Sequence, residues 1–123
     1  GLCISIAMQP VIRFNGASGK VKRSPYPRYE VYRAQKDYAD IARALGLKGN
    51  SDAELVEALC ARIAQLFKDL DVEPKLSANG VTKEQFEGAF DEMVDLVYND
   101  QCTPANPRQP FLEEIRELLW EQF

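Results

Sequence analysis

Residues 51–70 read SDAELVEALCARIAQLFKDL, and this stretch decides the fold class. Ser51 stands three residues before Glu54, the spacing at which a hydroxyl and a carboxylate satisfy each other's orphan amides at a helix start. Leu55, Leu59, Ile63, Leu66, Phe67 and Leu70 then recur at three and four residues and predict one apolar helix face. Cys60 lies beside that face as a small core residue.

Working outward towards the C-terminus, residues 71–80 form a connection, which Pro74 keeps from continuing the helix and Leu76 anchors. A second capping box, Thr82-Lys83-Glu84-Gln85, opens a helix over 82–98 with Phe86, Phe90, Met93, Val94 and Val97 as its stripe. Gly88 weakens that helix by up to about 1 kcal/mol relative to alanine, so a close packing contact is expected there. Glu84, Glu87, Asp91, Glu92 and Asp95 fall mostly on its outer face and read as a solvated surface rather than a catalytic or metal cluster. After a polar loop over 99–109, residues 110–123 close the chain as a helix. Pro110 suits its first turn, and Glu113 and Glu114 sit near the positive end of its dipole. Phe111, Ile115, Leu118 and Leu119 are expected to face inward.

Towards the N-terminus, residues 32–45 give an amphipathic helix carried by Ala34, Tyr38, Ile41, Ala42 and Leu45. Gly46 and Leu47 form its stop, the glycine left-handed and the leucine folded back. Residues 17–29 read as an extended linker because of Pro25 and Pro27. Tyr26, Tyr29 and Tyr32 pack it onto the body; a base-stacking platform beside Lys20, Lys22, Arg23 and Arg28 is the alternative. Residues 1–15 are apolar on every side and must be buried. Ile4 and Ile6 lean towards strand, Pro10 interrupts either element, and periodicity leaves strand and helix open.

The 123 residues fit one domain, an all-α bundle of about five helices. A net charge of −4 argues against non-specific nucleic-acid binding. The chain has no histidine, which removes histidine general bases, metal ligands and pH switches. Cys3, Cys60 and Cys102 are far apart, without the spacing of a zinc site or redox dithiol, and fit free thiols in a reducing cytosol. No stretch approaches the roughly 20 apolar residues of a membrane span, and no signal peptide is read.

The chemistry concentrates in Cys102-Thr103-Pro104-Ala105-Asn106-Pro107-Arg108, with Asp100 and Gln101 before it. Two prolines stiffen this loop. Asn106 can shape a turn, and Arg108 can pair with Asp100 or with helix carbonyls. Cys102 lacks a histidine base, so it reads as a thiol lining a pocket or core rather than a nucleophile.

Asp100 to Thr103 followed by Ala105-Asn106-Pro107-Arg108 resembles the C-terminal signature of iron-containing (group III) alcohol dehydrogenases. Val11-Ile12-Arg13-Phe14-Asn15 resembles the segment after that family's last metal histidine. Tyr26-Pro27-Arg28-Tyr29, Tyr38-Ala39-Asp40-Ile41-Ala42 and Leu45-Gly46-Leu47 are similar to the alcohol dehydrogenase half of bifunctional aldehyde/alcohol dehydrogenases. The resemblance implies that 1–123 is the distal part of a dehydroquinate synthase-like helical domain, a C-terminal fragment of a two-domain enzyme. That enzyme's other domain binds NAD(P), with Fe²⁺ or Zn²⁺ held between the two by one Asp and three His.

The resemblance implies no metal, cofactor or catalytic residue in this chain. In one register Gly1 follows the last metal histidine; in another Gly1-Leu2-Cys3-Ile4-Ser5 matches a Gly-Leu-Cys-His-Ser segment and Ile4 replaces the ligand. Cys102 matches a cysteine of the substrate pocket, and Pro104 stands where glycine is frequent. The resemblance also turns residues 2–14 into a buried helix. Implied partners are the nucleotide-binding domain, an alcohol or aldehyde substrate and further copies of the enzyme, in the cytoplasm, without nucleic acid or membrane. The chain alone is then expected to be inactive and to expose an apolar patch at 2–14. The alternative is a stand-alone helical interaction or assembly module derived from a truncated dehydrogenase gene.

Overall fold

The computed structural model describes residues 1–17 and 32–123. The basic cluster at 20–28, with Tyr26 and Tyr29, lies outside the described residues. The described residues form five α-helices: α1 (Leu2–Gly16), α2 (Ala34–Ala44), α3 (Asp52–Asp69), α4 (Lys83–Asn99) and α5 (Leu112–Gln122). Single 3₁₀ turns at Ser77–Asn79 and Thr103–Ala105 precede α4 and α5, and there is no strand among the described residues. The all-α class is as expected.

The helix boundaries follow the capping chemistry. Ser51 Oγ accepts from Glu54 N at 3.2 Å, but the Glu54 carboxylate reaches one residue further back, to Asn50 N at 2.7 Å. At α4 the box is reciprocal: Thr82 Oγ1 accepts from Gln85 N and Gln85 Oε1 from Thr82 N, at 3.2 and 2.9 Å. Gly46 ends α2 at φ 75°, with its N–H to Arg43 O and Leu47 N–H to Ala42 O. Asp71 plays the same part after α3 at φ 56°, with Val72 N–H to Phe67 O.

Two small cores result. In the first, Ala39 and Ala42 of α2 pack on Leu55 and Leu59 of α3, with Tyr38, Leu47 and Ile63 at the margin. In the second, Phe86, Phe90 and Val94 of α4 pack on Ile115 of α5, with Leu76, Val81, Met93 and Leu119 around them. Phe86 is 2 % exposed and stacks on Phe123 at 4.7 Å, with Trp120 edge-on at 4.9 Å. α1 packs on α2, α3 and α5, and so joins the two halves.

Several expected core residues point outward. Ile41 and Leu45 are exposed, because α2 presents its small residues Ala39 and Ala42 to α3. On α3, Val56 and Cys60 are buried in place of Leu66 and Leu70. Val97 is exposed in the last turn of α4. Phe111 is exposed at the entry to α5, and Pro110 is buried just before that helix rather than inside its first turn. α1 is helical through Pro10, against the local strand lean. It is not buried all round, since Ile4 is 67 % exposed and Leu2 44 %. A helix seated on neighbours along one side leaves its other apolar side uncovered.

The close packing expected at Gly88 occurs at Gly16 instead. A Cβ at Gly88 would meet nothing within 4 Å, whereas one at Gly16 would lie 2.9 Å from Val56 Cγ1. Gly16→Ala is therefore expected to lower stability by about 1–3 kcal/mol through overpacking against α3. Gly88→Ala should raise it by up to about 1 kcal/mol by restricting the unfolded backbone. Thermal unfolding of the two variants should move the midpoint in opposite directions, and a fall for Gly88→Ala would contradict the packing described.

Candidate functional site

The loop between α4 and α5 is held on both sides. Thr103 Oγ1 donates to Val97 O at 2.6 Å, tying it to the last turn of α4. Asp100 Oδ1 accepts from Cys102 N at 2.7 Å, so Asp100 shapes the start of the loop and does not pair with Arg108. Ala105 N–H to Cys102 O and Asn106 N–H to Thr103 O close the 3₁₀ turn between the cysteine and the asparagine.

At its far end the loop meets α1. Asn106 and Asn15 exchange side-chain hydrogen bonds: Asn15 Nδ2 donates to Asn106 Oδ1 at 3.0 Å, and Asn106 Nδ2 to Asn15 Oδ1 at 2.7 Å. Asn106 Nδ2 also donates to Arg108 O at 2.6 Å, the local turn its residue type suggests. Arg108 places its guanidinium 3.9 Å above the Phe14 ring, a cation–π contact. Its Nη1 donates to Phe14 O at 2.7 Å, and its Nη2 pairs with Glu114. Glu114 in turn accepts from Phe111 N at 2.8 Å, so one carboxylate caps α5 and holds the arginine. The helix carbonyl is thus the Arg108 partner among those the sequence offered. Glu114 as its ion-pair partner and Asn15 as the partner of Asn106 were not read from the sequence.

Between this loop, α1, the end of α4 and α5 lies a half-open cavity of about 380 Å³. Ala7, Val11 and Phe14 line it from α1, and Ile115, Leu118 and Leu119 from α5. Cys102, Thr103 and Asn106 supply the loop side. Cys102 is solvent-exposed at its edge. Asp100 accepts a hydrogen bond from the thiol and adds its own negative charge, which together push Cys102 above the ordinary thiol value. A thiol so held stays protonated at neutral pH, which disfavours a nucleophile's role. Burial likewise raises the Cys60 thiol, packed inside the first half of the fold.

The acidic residues of α4 are all exposed, and three have side-chain partners on the surface: Glu87 with Lys83, Asp91 with Arg116 and Asp95 with Asn99. Among the described residues no group of three or more His, Cys, Asp or Glu is placed to hold a metal ion, and the sequence contains no histidine. The donor set of the described residues therefore does not fit an iron or zinc site.

Comparison with known proteins places the chain. The model of the Fe-containing alcohol dehydrogenase family, C-terminal, matches residues 1–123. The aldehyde-alcohol dehydrogenase of Clostridium acetobutylicum is 36% identical over 118 residues, 96% of this chain and 14% of that protein. The bifunctional aldehyde-alcohol dehydrogenase AdhE of Escherichia coli K12 is 30% identical over 125 residues, 100% of this chain and 14% of that protein. An alcohol dehydrogenase of Thermococcus barophilus is 36% identical over 123 residues, 100% of this chain and 27% of that protein. The chain thus spans about a seventh of the first two relatives and about a quarter of the third. It belongs to the iron-containing alcohol dehydrogenase family and matches that family's C-terminal region.

Proposed function

We propose that this chain is the helical cap and pocket wall of a metal-dependent, NAD(P)-linked alcohol dehydrogenase that interconverts an alcohol and an aldehyde. The observation that carries the reading is where the two resemblance segments meet. Residues 14–15 and 106–108 are bonded to each other, and Cys102 stands beside that junction on the lip of an apolar cavity. An apolar wall of this kind excludes water from a reacting oxygen and accepts the alkyl part of a substrate. Cys102 serves as wall, its thiol kept neutral by Asp100.

On this reading Fe²⁺ or Zn²⁺ and NAD(P) bind elsewhere in the enzyme, and the chain alone is inactive. Its partner is the nucleotide-binding domain of a cytoplasmic, homo-oligomeric enzyme. The outward apolar residues of α1, Leu2 and Ile4, support such a covering partner.

The test is the full-length product of the gene. Purified, it should carry roughly one iron or zinc ion per subunit and reduce aldehydes with a nicotinamide cofactor. Cys102→Ser should keep kcat within about threefold, and Cys102→Phe should lower kcat/KM by about tenfold or more at unchanged metal content. A product of about 13.9 kDa, free of metal and activity, would overturn the reading in favour of a stand-alone module.

The raised thiol gives a pH prediction with a definite sign. Only the thiolate is alkylated, so Asp100→Asn, which removes the opposing charge, should move the pH profile of Cys102 alkylation to lower pH. Iodoacetamide rates across a pH series, resolved by peptide mapping, measure this. An unmoved profile would remove Asp100 as the cause.

A further inference from the structure

We infer that Asn15 and Asn106 are a positioning pair, whose reciprocal amide contact sets where Cys102 stands on the cavity wall. The inference rests on the proposed function for its catalytic consequence, and on geometry alone for the placement itself.

Asn15 is 3 % exposed at the end of α1. A buried amide is costly unless both its donor and its acceptor are satisfied. Here one partner satisfies both: Asn106 Oδ1 takes the Nδ2 hydrogen and Asn106 Nδ2 fills the Oδ1 lone pair. A second amide does this with a donor and an acceptor on separate atoms, whereas a carboxylate cannot donate and an ammonium cannot accept. An apolar contact could slide. A reciprocal amide pair has essentially one register.

That register reaches Cys102 through a short, stiff path. Asn106 and Cys102 are joined by the 3₁₀ turn, closed at Ala105 N–H to Cys102 O and Asn106 N–H to Thr103 O, both about 3 Å, and Pro104 fixes one backbone angle inside it. The other side of the turn is pinned to α4 by Thr103. The turn therefore behaves as one body with two attachments, and the Asn15–Asn106 contact sets how far it stands from α1. Val11 and Phe14 of α1 line the cavity that Cys102 borders, so a displaced turn changes the cavity itself.

The experiment uses the full-length gene product and three variants. Asn15→Ala removes the pair. Asn106→Gln keeps an amide but adds a methylene, and is the variant expected to fold even if the first does not. Ser51→Ala weakens a helix cap remote from the loop and controls for general loosening. For each, the rate of Cys102 alkylation by iodoacetamide is resolved by peptide mapping, and kcat and KM are measured for an alcohol.

The expected result is a change of about threefold or more in Cys102 reactivity for Asn106→Gln, and about tenfold for Asn15→Ala. KM should rise by a similar factor, kcat should stay within about threefold, and Ser51→Ala should alter neither. An unchanged Cys102 rate in folded Asn106→Gln, or an equal change in Ser51→Ala, overturns the positioning role. A changed Cys102 rate with unchanged KM upholds the positioning role and refutes Cys102 as part of the substrate wall.

Discussion

The end of α1 has a shortage of hydrogen-bond donors. The last carbonyls of a helix have no partner within it, and leaving one buried and unpaired costs about 1–3 kcal/mol. Many helices solve this with a left-handed glycine, as α2 does at Gly46. α1 instead leaves through Ala17 in an extended conformation. Its carbonyls are satisfied from outside: Phe14 O by Arg108, Asn15 O by the Tyr32 hydroxyl, and Gly16 O by Gln35 Nε2 at 2.9 Å. These donors come from both sides of the fold, two from the entry and first turn of α2 and one from the loop before α5. Meeting the need therefore brings two separate segments, the start of α2 and the loop before α5, onto one helix end.

Electrostatics reinforces the same junction. Arg108 stands at the negative pole of α1 and pairs with Glu114 in the first turn of α5, near that helix's positive pole. A single ion pair thus complements two helix dipoles at once. The pair is mostly withdrawn from solvent, with side-chain exposures of 14% and 23%, so salt screens it less than the surface pairs. The C-terminal end of α5 is finished in the same long-range manner. Leu76 N–H reaches Gln122 O at 2.9 Å, and Lys75 and Ser77 donate to Glu121 O and Phe123 O. Each half of the fold has a small core of its own. The packing of α1 on both halves, with the polar bonds at its C-terminal end, sets one half against the other.

This division explains what could be read from the sequence. Ser51, Thr82, Gly46 and the main apolar periodicities are local signals, and they fixed the helices to within one or two residues of their observed ends. Ile41, Leu45, Leu66 and Leu70 were misplaced because period gives the direction of a face but not the extent of the neighbour that covers it. Ala39, Val56 and Cys60 took the buried places because close helix approach favours small side chains. Helix α1 carried no usable local signal, being apolar on every side and interrupted by Pro10, and only family resemblance marked it as a helix. Asn15, Tyr32, Gln35 and Glu114 were missed as site-builders. The Asn15–Asn106 bond spans 91 residues of chain, and no local pattern announces it.

The same distinction bears on what the chain contributes to a dehydrogenase. Cys102 is its most conspicuous reactive group, yet Asp100 pushes that thiol above its ordinary value and these 123 residues include no histidine. On the reading proposed above, what this chain contributes is shape. Shape at a site must be fixed more tightly than apolar packing alone fixes it, because apolar contacts tolerate sliding and a displacement of about 1 Å can cost 10²-fold in rate. Directional bonds between distant segments supply that tolerance. Among the residues of the resemblance segments at 11–15 and 100–108, Phe14, Asn15, Asn106 and Arg108 bond those two segments to each other, and Phe14 and Asn106 also line the cavity. A signature made of such residues follows if it records where the wall stands rather than what the wall does chemically.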